Sequence, residues 1–133
     1  MDTQLLQDLT VTHILTVAPM EHYRPPVAAK HTCLNILDLP ETDLSQYYSD
    51  AFTFIDDAVA SGGRVLVHCN AGVSRSAAIT LAYLMKSHTL SYEDAWSLLK
   101  AKRPSINPNF GFILQLKNYE RQLTEVTKDE LMA

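Results

Sequence analysis

A chain of 133 residues, 47% apolar and 20% charged, has room for one compact domain with a real core and for one active site. Its formal charge of −4 offers no general attraction to nucleic acid or to an anionic bilayer, so any anionic substrate has to be captured locally. No stretch approaches the roughly 20 apolar residues that a membrane span needs.

The polar start MDTQLLQDL lacks the basic-then-apolar pattern of a secretory signal. Two cysteines, Cys33 and Cys69, do not make a disulfide framework. Both features lead us to expect a reducing, cytoplasmic or nuclear location, with no membrane insertion.

In chain order, Gln4 to Leu9 reads as a short helix and His13 to Val17 as a β-branched strand. Ala18 to Lys30 holds Pro19, Pro25 and Pro26 without a period and reads as a surface loop. Thr32 to Leu37 is a second apolar strand, and Asp38 to Thr42 leaves it as a loop because Pro40 disfavours continuation. From Leu44, the apolar positions Tyr47, Tyr48, Ala51, Ile55, Ala58 and Val59 follow a helical period that Ser61-Gly62-Gly63 ends.

Arg64 to His68 is apolar at successive positions, the pattern of a parallel strand covered on both faces, and we expect it to be the central one. Arg75 to His88 is apolar most of the way round, which predicts a helix buried in the middle of the domain, with Lys86 and His88 suiting its C-terminal dipole. Ser91-Tyr92-Glu93-Asp94 opens a further helix as a capping box, with Tyr92, Ala95, Trp96 and Leu99 on its apolar face. Beyond Pro104 and Pro108, a last helix from Asn109 places Phe112, Leu116, Tyr119 and Leu123 on one side. Strands alternating with helices predict an α/β fold around a central, mainly parallel sheet flanked by helices.

The stretch from Val67 to Ser76 carries the chemistry. A strand end, a loop of small residues and the first turn of a buried helix make an anion trap, because loop amides and the helix dipole converge on one point. The loop residues Asn70, Ala71, Gly72, Val73 and Ser74, together with Arg75, are the expected phosphate-binding set, and Gly72 lets the backbone bend without a Cβ clash.

Cys69 stands at the base of the trap, where dipole, amides and guanidinium all favour a thiolate and no separate base is needed. Arg75, six positions on, can hold two oxygens of a tetrahedral dianion with its planar fork. His68 would orient the loop, and the Ser76 hydroxyl could steady the sulfur as it leaves. The blander alternative makes Cys69 a small core residue and Arg75 a surface cation; it leaves an arginine ahead of a wholly apolar helix without an anion to meet.

These residues, His-Cys, five residues, Arg, then Ser, resemble the signature of the cysteine-dependent protein phosphatases. Ala71-Gly72, Ser74-Arg75-Ser76 and the following Ala82-Tyr83-Leu84-Met85 look like the small dual-specificity phosphatases within that superfamily. The resemblance runs from about Val11 to Leu123, taking in Leu44 to Tyr48 and Pro108 to Phe112. It implies a single catalytic domain over residues 1–133, a sheet of four or five strands, and hydrolysis of phosphotyrosine, with phosphoserine and phosphothreonine open, through a cysteinyl-phosphate.

The same resemblance implies a general acid, aligned at Asp38, that protonates the leaving oxygen and then takes a proton from water. Asp43 is its rival, but lying just before Leu44 it suits helix capping. Asn109 serves as a helix cap, and the family places this asparagine near the floor of the site.

Such a site implies a phosphorylated protein substrate and neither cofactor nor metal. The absence of lysine among the five loop residues suits a singly phosphorylated side chain better than a polyanionic lipid headgroup. Family members commonly carry another strand, of the type Leu-Tyr-Leu-Gly, before the first helix. This chain begins within that region, so an open sheet edge is expected and oligomeric state is left open. Cys33 reads as strand packing, with a protective disulfide to Cys69 as the alternative. A phosphoresidue-binding scaffold without turnover, a sulfur transferase and an arsenate reductase are the rival functions.

Overall fold

The computed structural model describes residues 9–19, 29–69 and 73–132, with side chains described as far as residue 125. The short helix expected over Gln4 to Leu9 and most of the loop from Ala18 to Lys30 lie outside the described residues. Among the described residues three strands and four helices follow in the order β1 (His13–Val17), β2 (Lys30–Leu34), α1 (Ser45–Ala60), β3 (Val65–His68), α2 (Arg75–Ser87), α3 (Tyr92–Lys102) and α4 (Phe110–Met132).

The sheet is wholly parallel, in the order β2-β1-β3. Parallel strands need a crossover, and α1 carries the chain from β2 past β1 to β3 on the other side of the sheet. Two expectations are corrected here. The described residues form three strands rather than four or five, because only three segments carry a strand pattern of their own and the additional strands rested on resemblance alone. Nor is β3 the central strand: that place belongs to β1, every residue of which is buried, whereas all four residues of β3 are half-buried. An apolar run reports that a strand is covered, not how many neighbours it pairs with.

Strand β2 also begins two residues earlier and ends three residues earlier than its apolar pattern predicts. After Leu34 the chain turns twice, the Ile36 N–H donating to Leu34 O at 2.8 Å and the Leu39 N–H to Leu37 O at 2.9 Å. Ile36 stays buried while Leu37 is thrown outward. These two turns deliver Asp38 to the edge of the site.

Helix α1 buries Tyr48, Ala51, Ile55 and Ala58 at helical spacing and ends where Gly62, at φ +75°, takes a left-handed turn that a side chain would resist. Val59, expected on the same face, is instead exposed, since it stands a step round from Ala58. Asp43 caps this helix from just outside, its Oδ1 accepting from Ser45 N at 3.0 Å and Ser45 Oγ at 2.6 Å.

Helix α2 is the centre of the domain. It buries residues on most of its circumference and packs against α1, α3, α4, β1 and β3. Ser91 Oγ accepts from Asp94 N at 3.0 Å, as the capping box predicts, and Phe112 and Leu116 of α4 are fully buried.

Candidate active site

Cys69 leaves the C-terminal end of β3, the end at which parallel sheets present ligand sites. It is 9% exposed, so it lies at the bottom of an opening rather than on the surface. Its sulfur is 3.3 Å from Ser76 Oγ and 3.4 Å from the Ser76 backbone nitrogen, which donates to it from the first turn of α2. The Ser76 backbone N–H at a helix N-terminus donates to the sulfur and favours negative charge there, while the Cys69 thiol donates to Ser76 Oγ, a hydroxyl able to donate in turn once the sulfur is a thiolate.

Arg75 begins α2 and is likewise 9% exposed. Its Nη1 donates to Ile36 O at 3.1 Å, which fixes the plane of the guanidinium. Its Nε is buried and has no hydrogen-bond partner among the described residues. A buried guanidinium N–H is costly to leave unpaired. With Nη1 occupied, the Nε–Nη2 edge is the side left for a bidentate anion, the geometry that carboxylates and phosphates accept.

Asn70, Ala71 and Gly72 lie outside the described residues, so their part in the trap stays an expectation from sequence. Val73 and Ser74 close the described part of the loop. Val73 O accepts from Asn107 N at 2.6 Å, tying the loop to the segment between α3 and α4.

Ser74, expected to line the phosphate, turns its hydroxyl away to donate to Asp38 Oδ1 at 2.7 Å, and its oxygen accepts from Asn109 N at 3.0 Å. The same Asp38 oxygen accepts from Asn109 Nδ2 at 2.8 Å. Asn109 also caps α4, its Oδ1 accepting from Phe112 N at 2.9 Å, so one side chain starts a helix and holds the acid. Asp38 Oδ2 takes no hydrogen bond among the described residues and is the oxygen left to exchange a proton.

The acid loop is clamped further along. Gln115 of α4 spans it, accepting from Leu44 N at 2.8 Å and donating to Thr42 O at 2.7 Å. Gly111 sits so close to Pro40 that an added Cβ would overlap the Pro40 backbone.

Behind the nucleophile lies an arrangement that sequence reading missed. Thr16, fully buried on β1, places Oγ1 2.7 Å from His68 Nε2 and 2.9 Å from His31 Nε2. The parallel register explains it: Thr16 pairs directly with His68, and His31 lies diagonally across on the same face. A hydroxyl has one proton to donate, so at most one of the two rings can accept from it and at least one donates its Nε2–H to Oγ1. His68 is held below its ordinary value of 6.5 by burial first and by His31 second. It therefore meets neutral pH as an uncharged ring of fixed orientation. Only the register brings these three residues together, and no sequence spacing announces it.

The register also answers for Cys33. It pairs with Thr16 from the opposite side to His68, so β2 and β3 positions at this level stand two strand spacings apart, about 9–10 Å. A disulfide needs Cα atoms within about 7 Å. The protective bridge to Cys69 is excluded without backbone movement, and Cys33 Sγ donates instead to Ala18 O at 3.0 Å.

Among the described residues no group of three or more His, Cys, Asp or Glu side chains is placed to hold a metal ion, and no helix is long and apolar enough to cross a membrane.

Comparison with known proteins agrees with this geometry. Mouse dual specificity protein phosphatase 19 is 45% identical over 119 residues, covering 90% of this chain and 54% of its own, so the chain spans about half the length of that curated relative. The crystal structure of a mouse putative dual specificity phosphatase complexed with zinc tungstate superposes with a TM-score of 0.87 at 32% identity, covering 94% of this chain and 79% of that one. The human tyrosine phosphatase-like serine/threonine/tyrosine-interacting protein gives 0.83 at 35% identity, over 92% and 84% of the two chains. The pattern described as "Dual specificity phosphatase, catalytic domain" matches residues 1–122, a span that holds the thiol, the guanidinium, the carboxylate and every element that positions them. The chain belongs to the dual specificity phosphatase catalytic domain family.

Proposed function

We infer that this protein hydrolyses phosphate monoesters on protein side chains, with Cys69 as nucleophile. The observation that carries the reading is the buried Arg75 fork, whose Nη1 is taken by Ile36 O and whose buried Nε has no partner among the described residues, at the start of the helix whose Ser76 N–H reaches the Cys69 sulfur. Phosphate, tetrahedral and doubly charged, matches the Nε–Nη2 edge and the dipole of α2.

In the reaction, the Cys69 thiolate attacks phosphorus in line while Arg75 and the loop amides of Asn70 to Ser74 hold the equatorial oxygens. The Cys69–phosphorus bond forms as the bond from phosphorus to the tyrosine or serine oxygen breaks. Asp38 gives its proton to the leaving oxygen, which would otherwise depart as a poor alkoxide or phenolate. The carboxylate then takes a proton from water, the resulting nucleophile attacks phosphorus, and inorganic phosphate leaves with the electrons returned to sulfur. Ser76 stabilises that departing thiolate, as its 3.3 Å approach supports. His68 acts as a positioning residue, held by Thr16.

A reducing compartment, cytoplasmic or nuclear, belongs to this reading, because a catalytic thiolate that Cys33 stands too far away to protect is kept active by reduction. The family's phosphatase-like interacting protein keeps a scaffold function in view, and Cys69, Arg75 and Asp38 together favour turnover.

The test is release of nitrophenol from p-nitrophenyl phosphate, blocked by vanadate. Cys69→Ser is expected to lower turnover by about four orders of magnitude or more while retaining phosphopeptide binding. Turnover that survives this substitution removes Cys69 from the reaction.

A further inference from the structure

Seven large apolar side chains are substantially exposed among the described residues, and four of them lie on two segments that the fold ties together: Leu37 at 51%, Leu39 at 43%, Phe110 at 69% and Leu114 at 54%. The other three, Leu9, Val59 and Leu98, are scattered. Single exposed apolar residues are ordinary on any protein, but a cluster beside a site is not.

The fold explains how the four come together. Leu37 and Leu39 flank Asp38 on the tight turn closed by the Leu39 N–H to Leu37 O bond. Gly111 seats the first turn of α4 against Pro40, and Asn109 ties that turn to Asp38. Phe110 and Leu114, one helical turn apart, therefore stand beside the acid loop, on the side of α4 away from the buried Phe112 and Leu116.

We propose that this apolar rim is the specificity surface of the site and takes apolar side chains that flank the phosphoresidue in the substrate polypeptide. The proposal rests on the phosphatase reading above and deepens it. The position of Asp38 selects the occupant. Leu37 and Leu39 are the chain neighbours of Asp38 on one tight turn, so a second copy or a permanent partner seated on both would crowd the acid. The substrate chain is the one occupant whose presence the reaction requires. An extended peptide advances about 3.3 Å per residue, so the residues within two or three positions of the phosphoresidue lie within reach of the rim. Contact energy gained there is remote from the reacting centre and discriminates between substrates through kcat/KM.

The experiment compares two phosphotyrosine peptides, identical except that one carries leucine or phenylalanine and the other serine at the positions within three residues of the phosphotyrosine. p-Nitrophenyl phosphate, which has no flanking chain, serves as the internal reference. We expect the apolar peptide to be preferred by about five- to tenfold in kcat/KM. In the doubly substituted Phe110→Ser, Leu114→Ser protein, and separately in Leu39→Ser, the ratio of apolar-peptide to nitrophenyl phosphate turnover is expected to fall by the same factor. Equal turnover of both peptides, with nitrophenyl phosphate still hydrolysed, overturns the rim proposal and leaves the phosphatase reading standing. Failure to hydrolyse nitrophenyl phosphate overturns the phosphatase reading itself. A wild-type dimer that Phe110→Ser, Leu114→Ser dissociates in sedimentation, or binding to neutral phosphatidylcholine vesicles that these substitutions abolish, assigns the rim to a different occupant and overturns the proposal equally.

Discussion

The proposed nucleophile and the proposed acid are built in opposite ways. Cys69, Arg75 and Ser76 fall within eight consecutive residues, and their mutual geometry follows from one strand end running into one helix start. Asp38 has no such local frame. It is held by Ser74, 36 positions away, and by Asn109, 71 positions away, on a loop that Gln115 and Gly111 press against α4. A thiolate trap can be encoded in a short segment because its parts are backbone amides and a helix dipole. A proton donor must stand on the far side of the substrate, and only another part of the chain can reach there.

This contrast can be broken at several points. The largest effect is expected from Asp38→Asn, which removes the proton donor and leaves the thiolate trap intact. Hydrolysis of phenyl phosphate, whose leaving group is poor, should fall by about 10²- to 10⁴-fold in kcat. p-Nitrophenyl phosphate, whose leaving group departs readily, should lose far less. Equal losses on the two esters would mean that Asp38 does not protonate the leaving oxygen.

Gly111→Ala sharpens the comparison without touching a reacting group. The new methyl would meet Pro40 backbone, and overpacking of that kind costs about 1–3 kcal/mol, which exceeds the roughly 1 kcal/mol that alanine gains over glycine within a helix. A lowered midpoint in thermal unfolding is expected, together with a selective loss on phenyl phosphate as the acid loop shifts. Alkylation of Cys69 by iodoacetamide should change less, since the groups hydrogen-bonded to its sulfur, the Ser76 hydroxyl and N–H, lie on α2 and not on the loop that shifts.

The smallest effect concerns His68. Its native value lies below 6.5, so between the two values the unfolded chain binds more protons than the folded one. Stability is then fully present above about pH 6.5 and falls as pH drops toward the native value. Thermal unfolding between pH 7.5 and 5 should show this acid-side decline, and His68→Gln should flatten it. A decline that is the same in the variant would assign the slope to other groups.

Comparison of individual elements shows what was legible early. The capping box at Ser91, the buried circumference of α2 and the apolar face of α4 follow from periodicities of three and four residues, and the structure keeps them. Asn109 was readable as a cap and proved to hold the acid as well. The central position of β1, the early end of β2 and the outward turn of Val59 were not readable, because strand order and the exact edge of a buried face depend on neighbours that the local pattern does not name. The partner of the Ser74 hydroxyl was unreadable for a related reason. Its place in the loop suggested phosphate contact, yet its hydroxyl is drawn off by a carboxylate from a different segment.

By itself the sequence determined the α/β alternation and the family signature from His68 to Ser76, since each rests on residues close together along the chain and on backbone geometry that short segments enforce. Tertiary structure alone decided the union of Thr16 with His31 and His68, the separation of Cys33 from Cys69, and the seating of the Asp38 loop on α4. Those depend on which strand lies beside which, and in what register, and that is fixed by packing the whole core at once.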